Sequence, residues 1–331
     1  MIPSISQDSD MGYNSNGIHT IGGYQSSGSA NAGFDGIMSH VHFTDGYAYT
    51  PSAFGETDAA TGEWKINTTP SVSYGTTGYW IFKDDAGVTD QSPNSNNWTA
   101  SGTLTSTKDC PSNIFATLNS LNVPTSNAPT FSFGNTKTIT MNTDPGYFGG
   151  TSTLGASSGK YYAEIKITDN NGVGAVGITF DPAEKARQGT TFSAQISDSF
   201  VYANNAKQYS SATGTSGSSY GNTYTDGDII GIAMDLDNSK LYFSKNGTFQ
   251  NSGDPTSGST GTGAISITAG KTYFFYLTDV GGALATYECN FGNGYFGTTA
   301  VSSAGTNASN NGVFEYDVPA GYTALSTKGL N

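Results

Sequence analysis

The chain has 331 residues, of which only 12% are charged and 35% hydrophobic. Its 44 glycines stand among long runs of Ser, Thr and Asn, so the raw material for surface helices is missing. Eighteen Phe and 20 Tyr supply apolar surface that disordered segments lack, which leaves an all-β protein with polar turns. A formal net charge of −13 with a single arginine, Arg187, excludes a nucleic-acid binder, which needs clustered cations against phosphate.

The chain opens with MIPSISQDSD, which has neither a basic nor an apolar signal region. No run of 18 apolar residues follows, so neither membrane insertion nor a secretory leader is expected. Residues Gln7 to Asn31 show no sustained period and read as an extended arm or irregular surface. From Phe34 the text becomes FDGIMSHVHFTDGYAYTPSAFGE. Here Ile37, Val41 and Phe43 alternate with Met38, His40 and His42, predicting a strand bounded by Asp35-Gly36 and Asp45-Gly46. A short strand around Trp64 and a Gly/Tyr stretch (SYGTTGYWIF) follow. Then comes the polar segment DQSPNSNNWT, where Pro93 and three asparagines interrupt any ladder and suggest a domain boundary.

Beyond Trp98 the predicted strands come at short intervals: TKTITM, KYYAEIKIT, VGAVGIT, FVYAN, DIIGIAMDLD, KLYFSKNG, AISIT, TYFFYLTD and ATYECNFG. In the clearest hairpin Ile230, Ile232, Met234 and Leu236 share a face. The turn falls at Asp237-Asn238-Ser239, and the return strand carries Leu241 and Phe243. Helix is expected only as one or two turns, around Pro182 to Arg187 and Ile114 to Leu121.

Three segments, GKYYAEIKITDNNGVGAVG, DGDIIGIAMDLDNSKLYFSKNG and YFFYLTDVGGALATYECNFG, occur in an order that resembles the SPRY domain. The matching positions are Gly159, Tyr162, Glu164, Asp228, Gly231, Asp235, Phe243, Asn246, Gly247, Asn290, Phe291 and Gly292. Upstream, the run from Phe34 to Glu56 is followed by Trp64, by D-x-S-x-x-x-N-x-W-T and by DCPSNIFATLN. This combination looks like a chain type common in marine bacteriophage genomes, in which a laminin-G-like lectin module precedes a SPRY module. About 33 residues precede the lectin-like motif here, so a remnant of that module is expected, and its sugar or calcium site is not carried over. The resemblance implies an all-β, antiparallel concanavalin-like (SPRY) β-sandwich over 99–331, with an extended N-terminal arm and laminin-G remnant over 1–98. A lone remnant strand leaves an apolar edge, so residues 1 to about 98 are expected to complete their sheet on the sandwich or on a neighbouring subunit.

Candidates for chemistry each meet a plainer reading. His40 and His42 fall on one strand face, but no third ligand follows at metal spacing, and they read as outward polar residues. Glu164, Asp235 and Asp237 are available as paired carboxylates, yet two of them fall where the resemblance assigns turns and strand packing. Asp84, Asp85 and Asp90 read as a solvated turn rather than a calcium loop. Cys110 and Cys289 match no metal pattern and read as buried free thiols. Four N-x-S/T triplets, at Asn67, Asn97, Asn246 and Asn307, read as chance in an Asn/Thr-rich chain. The loop FVYANNAKQYSSATGTSGSSYGNTY sets Tyr202, Tyr209, Tyr220 and Tyr224 among Ser, Asn and Gly. That mixture suits a binding loop, or else the tyrosines cap the end of the sandwich.

Together these features describe a protein with no catalytic site, no metal and no cofactor. By the resemblance it is a structural protein on the exterior of a phage virion, as a capsid decoration, capsid fibre or tail fibre. It is expected to assemble as a homo-oligomer with other virion proteins through its N-terminal arm and to face its SPRY loops outward. The alternative is a tail receptor protein that binds a host-surface glycan.

Overall fold

The computed structural model describes residues 18–26, 29–31, 34, 38–59, 62, 64–83, 87–102, 104, 108–110, 113–124, 128–139, 148–170, 172–185, 192–279 and 285–330. Arg187, Asp84, Asp85, Asp35, Gly36, Ile37 and most of the expected arm, up to residue 17, lie outside these. The chain divides into two compact units, one of residues 1–106 with 110–112 and one of 107–109 with 113–331.

Unit 1 is built from short antiparallel pairs. β1 (Tyr24–Ser26) pairs with β2 (Ser29–Asn31), so part of the expected arm is a hairpin, too short to show a period in sequence. β3 (Val41–Phe43) pairs with β6 (Tyr79–Ile81), and between them β4 (Gly55–Thr57) pairs with β5 (Trp64–Ile66). The β3–β6 ladder stops where His40 and Phe82, joined by His40 N–H to the Phe82 carbonyl at 3.1 Å, both take positive φ, 51° and 58°.

Unit 2 is built mainly of two mostly antiparallel sheets packed face to face. Its strands begin with β7 (Thr130–Ser132), β8 (Lys137–Ile139), β9 (Phe148–Thr151), β10 (Lys160–Asn170), β11 (Gly174–Thr179), β12 (Ser199–Ala203), β13 (Lys207–Tyr209) and β14 (Ser218–Ser219). They continue with β15 (Ile229–Asp235), β16 (Lys240–Lys245), β17 (Thr248–Phe249), β18 (Ile265–Ser266), β19 (Phe274–Asp279) and β20 (Ala285–Asn290), then β21 (Tyr295–Phe296), β22 (Thr299–Ala300) and β23 (Thr323–Ala324). Among the described residues one sheet has nine strands in the order β17-β16-β15-β10-β20-β8-β7, with β18 beside β16 and β23 joining β10 in parallel. The other has six, β14-β13-β12-β11-β19-β9. All nine segments read as strands in this half contain one.

Period-2 alternation explains the layers. Tyr161, Ala163, Ile165 and Ile167 of β10, with Ile230, Ile232 and Met234 of β15, meet Val176, Ile178, Phe200, Phe275 and Leu277 of the opposite sheet in the central core. Tyr287 crosses that core: its hydroxyl donates to the Thr278 carbonyl at 2.7 Å and accepts the Ala175 N–H at 3.0 Å. The intervening residues face outward and are buried as well. On the nine-stranded sheet Tyr162, Ala233 and Tyr242 lie under Phe314, Val318, Tyr322 and Ala324 of the C-terminal segment. On the six-stranded sheet Ala175, Val201, Ala203 and Tyr276 pack with Ile196 of α2 (Phe192–Ser197). These strands therefore read as continuous apolar runs, as strands covered on both sides do.

Of the two expectations for helix, one is corrected. α1 (Pro182–Lys185) is a single turn, as expected, but Asn113–Asn119 is extended, with bridges Phe115 to Ser326 and Leu118 to Ser152. Tertiary pairing overrides its helix-compatible spacing. Its Leu118 is fully buried in the central core, so the DCPSNIFATLN motif supplies part of the sandwich itself.

Candidate functional site

The motif residues of the sandwich converge on Glu164. This side chain is fully buried on the outer face of β10. Its carboxylate accepts the backbone N–H groups of Glu315 at 2.7 Å and Tyr316 at 2.9 Å, and the Tyr162 hydroxyl donates to it at 3.2 Å. Asn290 reaches the same carboxylate at 3.5 Å and donates to the Val313 carbonyl at 2.9 Å. Gly231 sits beside Tyr162 and Ser244, where an added Cβ would lie 2.6 Å from the tyrosine oxygen and 2.3 Å from the serine oxygen. Burial pushes the Glu164 carboxyl up to about 7, against the lowering effect of the two backbone N–H groups and Tyr162. The arrangement is a buried clasp for the C-terminal segment.

The other motif acids hold turns. Asp228 accepts the Asn246 amide at 2.7 Å and the Thr225 N–H at 2.8 Å, with Lys245 at 3.0 Å. Asn246 and Gly247, at φ 48° and 79°, form the tight turn between β16 and β17. Asp235, fully buried, pairs with Lys160 at 2.9 Å and accepts the Asn238 N–H and amide. Asp237 accepts the Gly159 N–H at 2.7 Å. Gly292, at φ 126°, leaves room for the Phe115 ring, which would lie 2.6 Å from a Cβ there.

Residues 160–266 match the model of the SPRY domain. This region of the chain is a SPRY domain. SPRY domains are β-sandwiches of protein interaction, and the mostly antiparallel strands of unit 2 agree with that class. Among solved structures, the crystal structure of the SPRY domain of human HERC1 is similar at 18% identity, over 44% of this chain and 80% of that one, with a TM-score of 0.30. No curated protein matches the chain.

The four tyrosines of the SPRY loop are all buried, which removes them as a contact surface: an outward-facing platform needs exposed rings. Tyr202, Tyr220 and Tyr224 join the central core, with Tyr202 5.4 Å from Tyr220, 5.2 Å from Tyr224 and 5.5 Å from Phe243 between ring centroids. Tyr209 packs on the far side of the six-stranded sheet, so the four do not converge. Their oxygens bond inward. Tyr202 donates to the Asn222 carbonyl, Tyr209 accepts the Asn205 amide at 2.7 Å, and Tyr220 accepts the Phe243 N–H at 3.3 Å. Tyr224 lies 3.0 Å from the Gly174 carbonyl and 2.9 Å from that of Tyr202. Burial pushes the Tyr202 hydroxyl up to about 12 and raises those of Tyr220 and Tyr224 well above the usual tyrosine range.

In unit 1 the D-x-S-x-x-x-N-x-W-T residues form a closed turn around Asp90. Its carboxylate accepts the N–H groups of Trp80 (2.8 Å), Ser92 (2.8 Å) and Asn96 (2.7 Å) and the Ser92 hydroxyl (2.8 Å). Burial acts to raise this carboxyl, but the four hydrogen bonds outweigh it and hold Asp90 below the usual range. Asn94 and Asn96 donate to the Gly78 carbonyl at 2.9 Å each, and Trp98 meets Tyr79 edge-on at 5.0 Å. The asparagines that look like loop filler in sequence are the cross-links of this turn.

His42 is not an outward polar residue. Its ring stacks on Trp80 at 4.9 Å and lies 4.7 Å from Phe54, while Nδ1 shares a 2.8 Å hydrogen bond with the Tyr74 hydroxyl. Burial, then the neighbouring His40, lowers it to about 4. Among the described residues no group of three His, Cys, Asp or Glu comes together to hold a metal. Cys289 is buried and Cys110 half-buried. The four N-x-S/T asparagines all serve the fold: the amides of Asn67, Asn246 and Asn307 donate internally, and the Asn97 side chain accepts the Asp90 N–H.

One aromatic pair does face solvent. Tyr47 and Tyr49 are 51% and 37% exposed and lie 6.1 Å apart with their planes 20° from parallel. Their i, i+2 spacing in extended chain between Gly46 and Pro51 puts both on one side. That spacing was readable in GYAYTP.

Proposed function

We propose that the protein is a non-enzymatic structural protein on the exterior of a phage virion, a capsid decoration or fibre or a tail fibre. It assembles as a homo-oligomer with other virion proteins through its N-terminal region and displays the SPRY sandwich outward. The observation that carries the non-enzymatic part is the use of the motif acids: Glu164, Asp228 and Asp235 are each bonded to backbone or lysine partners that hold loops in place. A sandwich whose motif acids brace its own joints works as a scaffold and contact surface. The virion setting rests on the resemblance of Phe34 to Asn119 to phage chains. Scarce cations and a net charge of −13 suit a surface that must not adhere to other anionic surfaces.

Sedimentation of the full chain tests the assembly. A stable oligomer is expected at micromolar concentration, and removing residues 1 to 56 should reduce it to smaller species. A shortened chain that assembles normally removes the N-terminal role.

A further inference from the structure

We propose that Tyr47 and Tyr49 of unit 1 form a binding platform for a neutral saccharide. The Tyr49 ring is held from behind, and the Tyr47 ring lies against it at 6.1 Å. The Tyr49 hydroxyl accepts the Ser73 N–H at 2.9 Å, its ring meets Phe54 edge-on at 6.2 Å, and Phe54 in turn rests on His42 at 4.7 Å. At the adjoining turn the Thr44 hydroxyl fixes the Tyr47 carbonyl at 2.8 Å. Both rings nevertheless keep a large share of their surface in water. Rigid amphipathic rings bind with little loss of side-chain freedom, so the platform is ready for a flat partner.

Charge and polarity select that partner. Unit 1 contains ten carboxylates against two lysines, a formal charge of −8. Lys65 pairs with Asp58, and Lys83 lies 4.4 Å over the Trp80 ring. A nucleobase brings phosphates, and an acidic polysaccharide brings carboxylates or sulfates; both are repelled here. A neutral sugar has a C–H face that stacks on tyrosine and an equatorial rim of hydroxyls. The exposed hydroxyls of Thr50 and Ser52, 2.7 Å apart on the next turn, supply the rim's partners. This site is independent of where the protein resides, because a sugar platform works on head, tail or the free chain alike.

The test uses the purified full chain and a panel of neutral gluco-, galacto-, manno- and N-acetylglucosamine oligosaccharides, with titration followed by calorimetry or by affinity electrophoresis in polysaccharide gels. Binding to at least one of them is expected, weakened about tenfold or more in Tyr47→Ala/Tyr49→Ala, the loss of two ring contacts. Tyr47→Phe should retain it, because the ring is the contact. Fluorescence of Trp64, Trp80 and Trp98, all in unit 1, reports whether the double variant keeps its fold. Should that variant misfold, Tyr47→Ala alone carries the comparison. No binding to any neutral sugar, equal binding by the folded double variant, or a changed oligomeric state of that variant, which would make the rings a protein contact, each overturns the proposal. Loss of particle attachment would leave it standing, since the assay contains no particle.

Discussion

The carboxylate of Glu164 accepts the backbone N–H of Glu315 at 2.7 Å, across 151 positions of sequence. With the Tyr316 N–H it fastens the C-terminal segment over the outer face of the nine-stranded sheet, where Phe314 meets the Tyr162 ring edge-on at 5.0 Å. The sandwich thus extends beyond the stretch matched by the SPRY model, and a fully buried acid is the fastening point.

Replacing Glu164 by Ala removes the acceptor of two half-buried N–H groups and of the buried Tyr162 hydroxyl. A loss of about 3 kcal/mol is expected, the scale of unsatisfied buried donors. Glu164→Gln keeps one acceptor oxygen and should lose less. Urea unfolding followed by far-UV circular dichroism distinguishes the two.

The same residue gives the sandwich a pH dependence. With a folded value of about 7 against 4.5 unfolded, Glu164 holds its proton in the folded state after the unfolded chain has released it. Its contribution is therefore full below pH 4.5, declines as pH rises to about 7 and is constant above that. Glu164→Gln should abolish this decline, seen as a pH-independent urea midpoint of the sandwich between those values.

Unit 1 should respond in the opposite direction. His42 titrates at about 4 when folded against 6.5 unfolded, so the unfolded state takes up the proton first as pH falls. Stability is full above pH 6.5 and is lost between 6.5 and about 4, before the Asp90 turn is protonated. His42 stacks on Trp80, and all three tryptophans lie in unit 1, so tryptophan fluorescence during urea unfolding reads this unit separately. His42→Phe should flatten the profile.

Strand positions in the sandwich were legible in sequence because five- to ten-residue apolar runs between Gly, Asn and Asp are what doubly covered strands require. The Asn246-Gly247 turn was legible for the same local reason. The coverings were not. Phe314 and Tyr322 sit in a segment without periodicity, and their burial is decided by Glu164 and Tyr162 far upstream. The loop tyrosines misled because composition records what a residue can do: Tyr202 has the chemistry of a contact residue, but β12 alternation points it into the core. Extended chain at Asn113–Asn119 was hidden because its partners, Ser152 and Ser326, both lie far downstream in sequence.

Burial separates the two sets of tyrosines in a directly measurable way. Tyr202→Ala opens the central core and should cost about 3 to 5 kcal/mol. Tyr47→Ala, at an exposed ring, should change stability by about 0.5 kcal/mol or less. Equal losses at both positions would contradict the placement of these rings.

Gly247→Val tests the β16–β17 turn. The position needs φ of 79°, and a Cβ there would lie 2.7 Å from the Tyr316 ring, so strain and clash coincide. A loss of at least about 2 kcal/mol is expected in sandwich unfolding.

The most direct measurement of the central claim is gold-labelled antibody against the full chain on intact, purified phage particles, viewed by electron microscopy. Regular labelling of the particle exterior, on capsid or tail, is the expected result. A chain that stays in the soluble fraction of the lysate, or that is reached only after the particles are broken open, contradicts an exterior virion protein.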